Sequence, residues 1–247
     1  AQPANTEVKE AEKQTLKIGV PGDQGGFDPA TGTTDTPQQA IKAAYRGLFG
    51  FDANGQLQNE ICKSYEVSAD GLTYTFKLRE DAKWSDGVQV TAKDFVYGWK
   101  RNLVPELKAA YADLMNGIVN FDACMAGEKD LNEFGIKAVD DVTFEVKLAR
   151  TQPYFPQMTT FSPFYPIRED KVPMDSSAWS AENVSEVVTN GPFKFEKYVT
   201  NEKVVLVPNK EYYEASKVKL GRIEYYFIPD PQASVASFKS GELDMTL

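Results

Sequence analysis

Residues 71–87 read Gly-Leu-Thr-Tyr-Thr-Phe-Lys-Leu-Arg-Glu-Asp-Ala-Lys-Trp-Ser-Asp-Gly. Tyr74, Phe76 and Leu78 alternate with Thr73, Thr75 and Lys77, the period of a strand with one face in the core and one in water. Asp70-Gly71 is a hairpin signal, because glycine enters the left-handed region that tight turns demand, so residues 64–67 are predicted as the partner strand. Behind the strand, Ser85-Asp86-Gly87 makes a second turn. Thr91 with Asp94 three residues on resembles a capping box, with Asp where Glu or Gln is usual, and starts a helix that turns Phe95, Val96 and Trp99 inward. A half-buried hairpin followed by an amphipathic helix predicts an α/β fold.

The pattern extends in both directions. Residues 15–20 (TLKIGV) form a strand and the Gly-, Asp- and Thr-rich residues 22–34 a loop. Thr36-Pro37 is predicted as an N-cap followed by proline at the first helical position, with Ala40, Ile41, Ala44, Tyr45 and Leu48 on the buried face. Residues 1–13 lack apolar periodicity and are expected to be a flexible tether. Toward the other end, Val142, Phe144, Val146 and Leu148 alternate as a strand, and residues 152–173, rich in proline and aromatics, form a crossover between substructures. Residues 193–198, 204–207 and 223–228 are strands. Asp230-Pro231 opens a short helix with Val235 and Phe238 inside, and Gly241 stops it. Residues 243–247 (LDMTL) begin a further strand, expected to be unpaired, so the terminus is expected to be a cut one.

The 247 residues, 42% hydrophobic and 12% aromatic, suffice for a sizeable core. A net charge of -9 without a Lys/Arg-rich run excludes the cationic face that nucleic acid needs. No stretch approaches the about 20 apolar residues that span a bilayer. With no histidine, Ser-His-Asp and Cys-His catalysis and His-ligated zinc are excluded; no metal site and no cofactor are expected. The two cysteines, Cys62 and Cys124, are either a disulfide of an exported protein or two unrelated buried thiols. They are expected to be bonded, because their number is even and both lie in one proposed subdomain. Asp140-Asp141 and Asp86 read as turn residues before they read as catalytic carboxylates. The glycines of residues 22–26 lack the spacing of a phosphate-cradling loop. Trp84, Trp99, Phe155, Phe164, Trp179, Tyr212 and Tyr213 are mostly core. Tyr111, just after the loop of residues 103–108, is placed to offer a ring and a hydroxyl to a cleft.

From the opening strand onward, several phrases resemble the peptide and nickel family of importer-associated solute-binding proteins, most closely its oligopeptide-binding members. Phe27-Asp-Pro29 resembles that family's Leu-Asp-Pro, Tyr45-Arg-Gly-Leu-Phe49 its F-E-G-L helix end, and residues 71–87 reproduce its signature almost entirely. Val90-Thr-Ala-Lys-Asp-Phe-Val-Tyr97, Val139-Asp-Asp-Val-Thr-Phe-Glu-Val146, Thr189-Asn-Gly-Pro-Phe193 and Ser240-Gly-Glu-Leu-Asp-Met-Thr246 follow in the family's order.

The resemblance implies a periplasmic binding protein-like α/β fold, a class II-type two-lobed clamp that closes on an extended peptide held by main-chain hydrogen bonds, with side chains in hydrated pockets. Thr33, Thr34 and Asp35 align with ligand-contacting main chain, and Tyr111 with a ligand-contacting tyrosine. Thr33 departs from the glutamate, and Leu247 from the tyrosine, that such members can carry. Family members continue beyond Thr246 into a second lobe with charged anchors for peptide ends. The chain is therefore expected to hold an incomplete first lobe, residues 14–48 and 170–247, with an inserted α/β subdomain, residues 49–169, and no second lobe. Alone it is expected to fold but to bind peptide weakly.

The implied function is extracytoplasmic capture of oligopeptides for an ATP-binding-cassette importer, with permease and ATPase partners and no enzyme activity. The implied location is the periplasm or cell surface, with a lipid anchor upstream of Ala1 as one arrangement. The same fold binds dipeptides, haem or metal chelates, and also serves as a surface adhesin or pheromone receptor. A carboxylate-dependent hydrolase is a further, more distant alternative.

Overall fold

The computed structural model describes residues 14–22 and 26–247, and the tether expected at residues 1–13 lies outside them. β1 (Thr15–Val20) leads through a loop into α1 (Asp35–Ala44), then a small hairpin of β2 (Phe49–Phe51) and β3 (Leu57–Asn59). β4 (Cys62–Val67) and β5 (Thr73–Leu78) form the second hairpin, with Gly71 at φ +71° in its turn. α2 (Ala92–Arg101) and α3 (Phe121–Met125) precede β6 (Ile136–Asp140) and β7 (Thr143–Lys147). The short α4 (Phe155–Met158) follows. β8 (Phe193–Val199), β9 (Lys203–Pro208), β10 (Arg222–Phe227), α5 (Pro231–Ser240) and β11 (Met245–Thr246) complete the described chain.

The strands make a five-stranded sheet in the order β11-β1-β10-β9-β8 and a four-stranded antiparallel sheet in the order β4-β5-β7-β6, besides the β2-β3 pair. β1 runs parallel to β10 in register from Thr15 opposite Arg222 to Val20 opposite Phe227. Parallel neighbours need a crossover. Here the crossover is most of the chain, and the whole four-stranded sheet is built inside it.

One buried cluster runs through both sheets. Its centre is aromatic: the Trp99 ring meets those of Phe144 and Phe164 edge-on, each with centroids 4.9 Å apart, and its Nε1 donates to the Phe164 carbonyl at 2.7 Å. Each such ring contributes about 1.5–3 kcal/mol by burial. Trp84, Phe155, Phe164 and Trp179 are all buried, as is the Tyr74, Phe76, Leu78 face of β5. The capping box of α2 forms on both sides, and Asp94 also accepts from Trp84 Nε1 at 3.1 Å. Burial pushes the Asp94 carboxyl above its ordinary value, against the pull of these hydrogen bonds.

Several expectations are corrected. α1 starts at Asp35 with Thr34 as its N-cap residue, so Thr36 is not the cap and Pro37 lies within the first turn. Proline is tolerated there because the first N–H groups of a helix have no partner within it. α1 also ends at Ala44, so Tyr45 and Leu48 are buried from non-helical chain. In α5, Val235 and Phe238 are 39% and 47% exposed, not inside; the contact with the sheet is made by Ser234 and, beyond the helix, Leu243. Gly19 leaves room for both, since a Cβ there would lie 2.7 Å from Ser234 Oγ and from Leu243 Cδ1. Residues 243–247 are not unpaired: β11 runs parallel to β1, Ile18 opposite Met245 and Gly19 opposite Thr246. Cys62 and Cys124 are free, and each buried thiol donates to a different carbonyl, Ser64 at 3.3 Å and Asp130 at 3.4 Å.

Candidate peptide-binding edge

The loop before α1 is fixed from beneath by one carboxylate. Asp28 accepts from the Ala30 N–H at 2.9 Å, and its own carbonyl accepts from Thr31 and Gly32 at 3.1 and 2.8 Å. Its two carboxylate oxygens take Nη1 and Nη2 of Arg101 at 3.1 and 2.8 Å, with both side chains at 0% exposure. Arg101 Nε and Nη2 then donate to the Pro173 and Ser176 carbonyls at 3.1 and 3.0 Å. A guanidinium offers five N–H groups in a rigid fork, which suits it to tie three segments together without water.

Gly32 is required where it stands: a Cβ would collide with the Gly26 carbonyl oxygen and with Ile41. Gln38 of α1 closes the far side, donating from Nε2 to the Gly32 carbonyl and to Ser162 Oγ. The chain emerging from this anchor is extended, with Thr34 at φ -100°, ψ 165°, and Thr34 and Asp35 are exposed. Among the described residues, the amide N–H groups of Thr33 and Thr34 make no hydrogen bond. An extended segment with free amides is an edge on which another extended chain can pair.

Tyr111 stands over this edge. Lys108 turns the chain at φ 52°, and Leu107, Ala112 and Met115 are buried around it, so Tyr111 is held on a fixed base while its side chain stays 41% exposed. Its hydroxyl donates to the Thr33 carbonyl at 3.3 Å. The four sequence candidates are thus neighbours in space, with Tyr111 directly on Thr33 and with Thr34 and Asp35 continuing the same exposed segment. The sequence reading missed Arg101 and Gln38. A signal for Arg101 was present: it lies three residues from Gly98 and six from Phe95 on the buried side of α2, and Asp28 lies between Phe27 and Pro29. A charge in each apolar setting asks for the other.

The family model described as bacterial extracellular solute-binding proteins, family 5 Middle, matches residues 56–247. The chain belongs to this family. As a family 5 protein it is 33% identical over 232 residues to the oligopeptide-binding protein OppA of Bacillus subtilis, covering 94% of this chain and 42% of that protein. It is 34% identical over 241 residues to the periplasmic oligopeptide-binding protein OppA of Salmonella typhimurium, covering 97% and 44%. The solved structure of Haemophilus influenzae OppA in complex with RPPGFSPFR superposes with a TM-score of 0.87 at 33% identity, covering 96% of this chain and 46% of that one. The fold is therefore that of the periplasmic binding proteins. The chain spans less than half the length of these relatives.

Among the described residues no group of three or more His, Cys, Asp or Glu side chains is placed to hold a metal ion. No helix among them is long and apolar enough to cross a membrane.

Proposed function

We propose that this family 5 chain captures oligopeptides outside the cytoplasm, pairing their main chain with the exposed edge at Thr33, Thr34 and Asp35 beneath Tyr111. The observation that carries the reading is the pair of unbonded Thr33 and Thr34 amides on an extended segment fixed by Asp28, Arg101 and Gln38. Main-chain pairing is independent of side-chain identity, which suits a carrier of varied peptides, and a fixed edge loses little entropy on binding. Relatives named as oligopeptide-binding proteins support it. In this reading residues 14–48 and 170–247 belong to one lobe, residues 49–169 form the subdomain that brings Tyr111 to it, and the loaded protein delivers peptide to a permease and ATPase. Its place is the periplasm or the cell surface, with lipid anchoring as one way of staying there.

Calorimetry with tri- to nonapeptides, on this chain joined to the second lobe that the resemblance implies, tests the reading. Tyr111→Ala and Thr34→Pro, which deletes one free N–H, are each expected to weaken binding about tenfold, or about 1.4 kcal/mol, with little change in Tm. Peptide affinity unchanged in both variants would reject the edge as the contact. Binding of dipeptides in preference to longer peptides would reassign the ligand class.

A further inference from the structure

Lys42 follows Asp35 by seven residues, about 10 Å along α1. There the surface opens into a cleft of about 360 Å3 that shares none of the four candidate residues. Its floor is an ion pair, Arg46 Nε to Glu60 Oε1 at 3.1 Å. Arg46 is largely committed: Nη1 donates to the Lys42 and Tyr45 carbonyls at 2.6 and 2.9 Å, and the guanidinium carbon lies 5.8 Å from the Tyr212 ring centroid. Glu60 is less so: it takes Arg46 and the Gly47 backbone N–H, but a carboxylate has about four acceptor positions and its side chain remains 21% exposed. The backbone makes room for it: a Cβ on Gly50 would collide with the Glu60 carboxylate, and one on Gly47 with the Tyr165 ring.

The rim is unusual in two ways. Lys42 is exposed and has no ion-pair partner among the described residues. Phe51 and Phe161 also line the cleft and leave 56% and 53% of their surface in solvent. An unpaired ammonium, a carboxylate with spare acceptors and two bare rings together match one ligand chemistry. A simple anion would meet Lys42 but leave the spare acceptors of Glu60 unused, and a simple cation would meet Glu60 but be opposed by Lys42 and Arg46. A zwitterion with an apolar side chain satisfies both charges and covers the rings.

The geometry points to a second binding site, separate from the peptide edge, for a free amino acid with an aromatic or large aliphatic side chain. The carboxylate pairs with Lys42, the ammonium with Glu60, and the side chain lies against Phe51 and Phe161. Burial already pushes the Glu60 carboxyl above its ordinary value, with Arg46 pulling it partly back, so an arriving ammonium restores stabilisation that desolvation took away.

Titration of the protein with L-phenylalanine, 3-phenylpropionate and phenethylamine, followed by calorimetry or NMR, tests this. Phenylalanine is expected to bind saturably with Kd on the order of 0.1–1 mM, and each singly charged analogue about tenfold more weakly. Lys42→Met and Phe161→Ala, both at exposed side chains, are each expected to weaken phenylalanine about tenfold without lowering Tm. Tyr111→Ala is expected to leave it unchanged, which separates this site from the peptide reading. No saturation by about 10 mM, analogues binding as well as phenylalanine, or wild-type affinity in Lys42→Met would overturn the site. Loss of phenylalanine binding in Tyr111→Ala would place the ligand at the peptide edge and overturn it equally.

Discussion

Two arginine-carboxylate pairs flank α1, and they differ in what surrounds them. Arg101 and Asp28 are wholly buried, joined by two hydrogen bonds, and the spare donors of Arg101 reach two further carbonyls. Arg46 and Glu60 meet through one contact and keep 22% and 21% of their side chains in solvent. The same charges therefore do different things. In the dry site four of the five guanidinium N–H groups are spent on protein, so the pair fixes geometry; in the half-open one, capacity is left over for the ligand we propose. On the proposed reading, scaffold and recognition surface are distinguished by unused hydrogen-bonding capacity, not by residue type.

The largest effect that would break this contrast is at Arg101. Arg101→Met leaves the Asp28 charge buried without its partner and frees two carbonyls, so the expected cost is about 3–5 kcal/mol. Denaturant unfolding measures it. A loss below about 1 kcal/mol would mean that Asp28 finds water or another donor, and the loop before Thr33 would then not be fixed as described. The paired change Asp28→Leu with Arg101→Met should recover part of the loss, because it removes both charges instead of stranding one.

A middle-sized effect compares the starts of two helices. α1 has no side-chain cap, whereas α2 begins with a complete capping box whose Asp94 also holds Trp84 Nε1. Thr91→Ala should cost about 1 kcal/mol, the usual worth of a cap. Asp94→Ala should cost more, about 2–3 kcal/mol, because the Trp84 N–H loses its acceptor as well. Equal losses for the two variants, measured by thermal unfolding, would show that water replaces Asp94 at the indole.

These elements also mark what the sequence disclosed. β5, the turn at Gly71 and the α2 cap were legible because their signals are local: alternation within one strand, glycine at one positive φ, and two residues three apart. The start of α1 was misplaced by two residues because Thr34 and Thr36 both fit the cap and Pro37 is acceptable anywhere in a first turn. Val235 and Phe238 looked buried by helical spacing, but spacing cannot tell that Ser234 and Gly19 bring α5 against the sheet. The pairing of residues 243–247 with β1 and the Asp28–Arg101 bond join segments 227 and 73 positions apart, and no local pattern encodes either. At the candidate edge, Thr33, Thr34, Asp35 and Tyr111 came from resemblance, while the two free amides and the Arg101 anchor are visible only in three dimensions.

The smallest expected effect is the sharpest test of the division between scaffold and recognition. The Tyr111 hydroxyl reaches Thr33 at 3.3 Å, near the long end of a hydrogen bond, and the side chain is exposed, so water can replace the contact at little cost. Tyr111→Phe keeps the ring and should change stability by less than about 0.5 kcal/mol, in contrast to the loss at Arg101. If instead it costs more than about 1 kcal/mol, the hydroxyl is part of the support for the loop, and Tyr111 belongs with Asp28 and Arg101 on the scaffold side. The two outcomes assign opposite roles to the same oxygen, and a thermal melt of this single variant distinguishes them without any ligand.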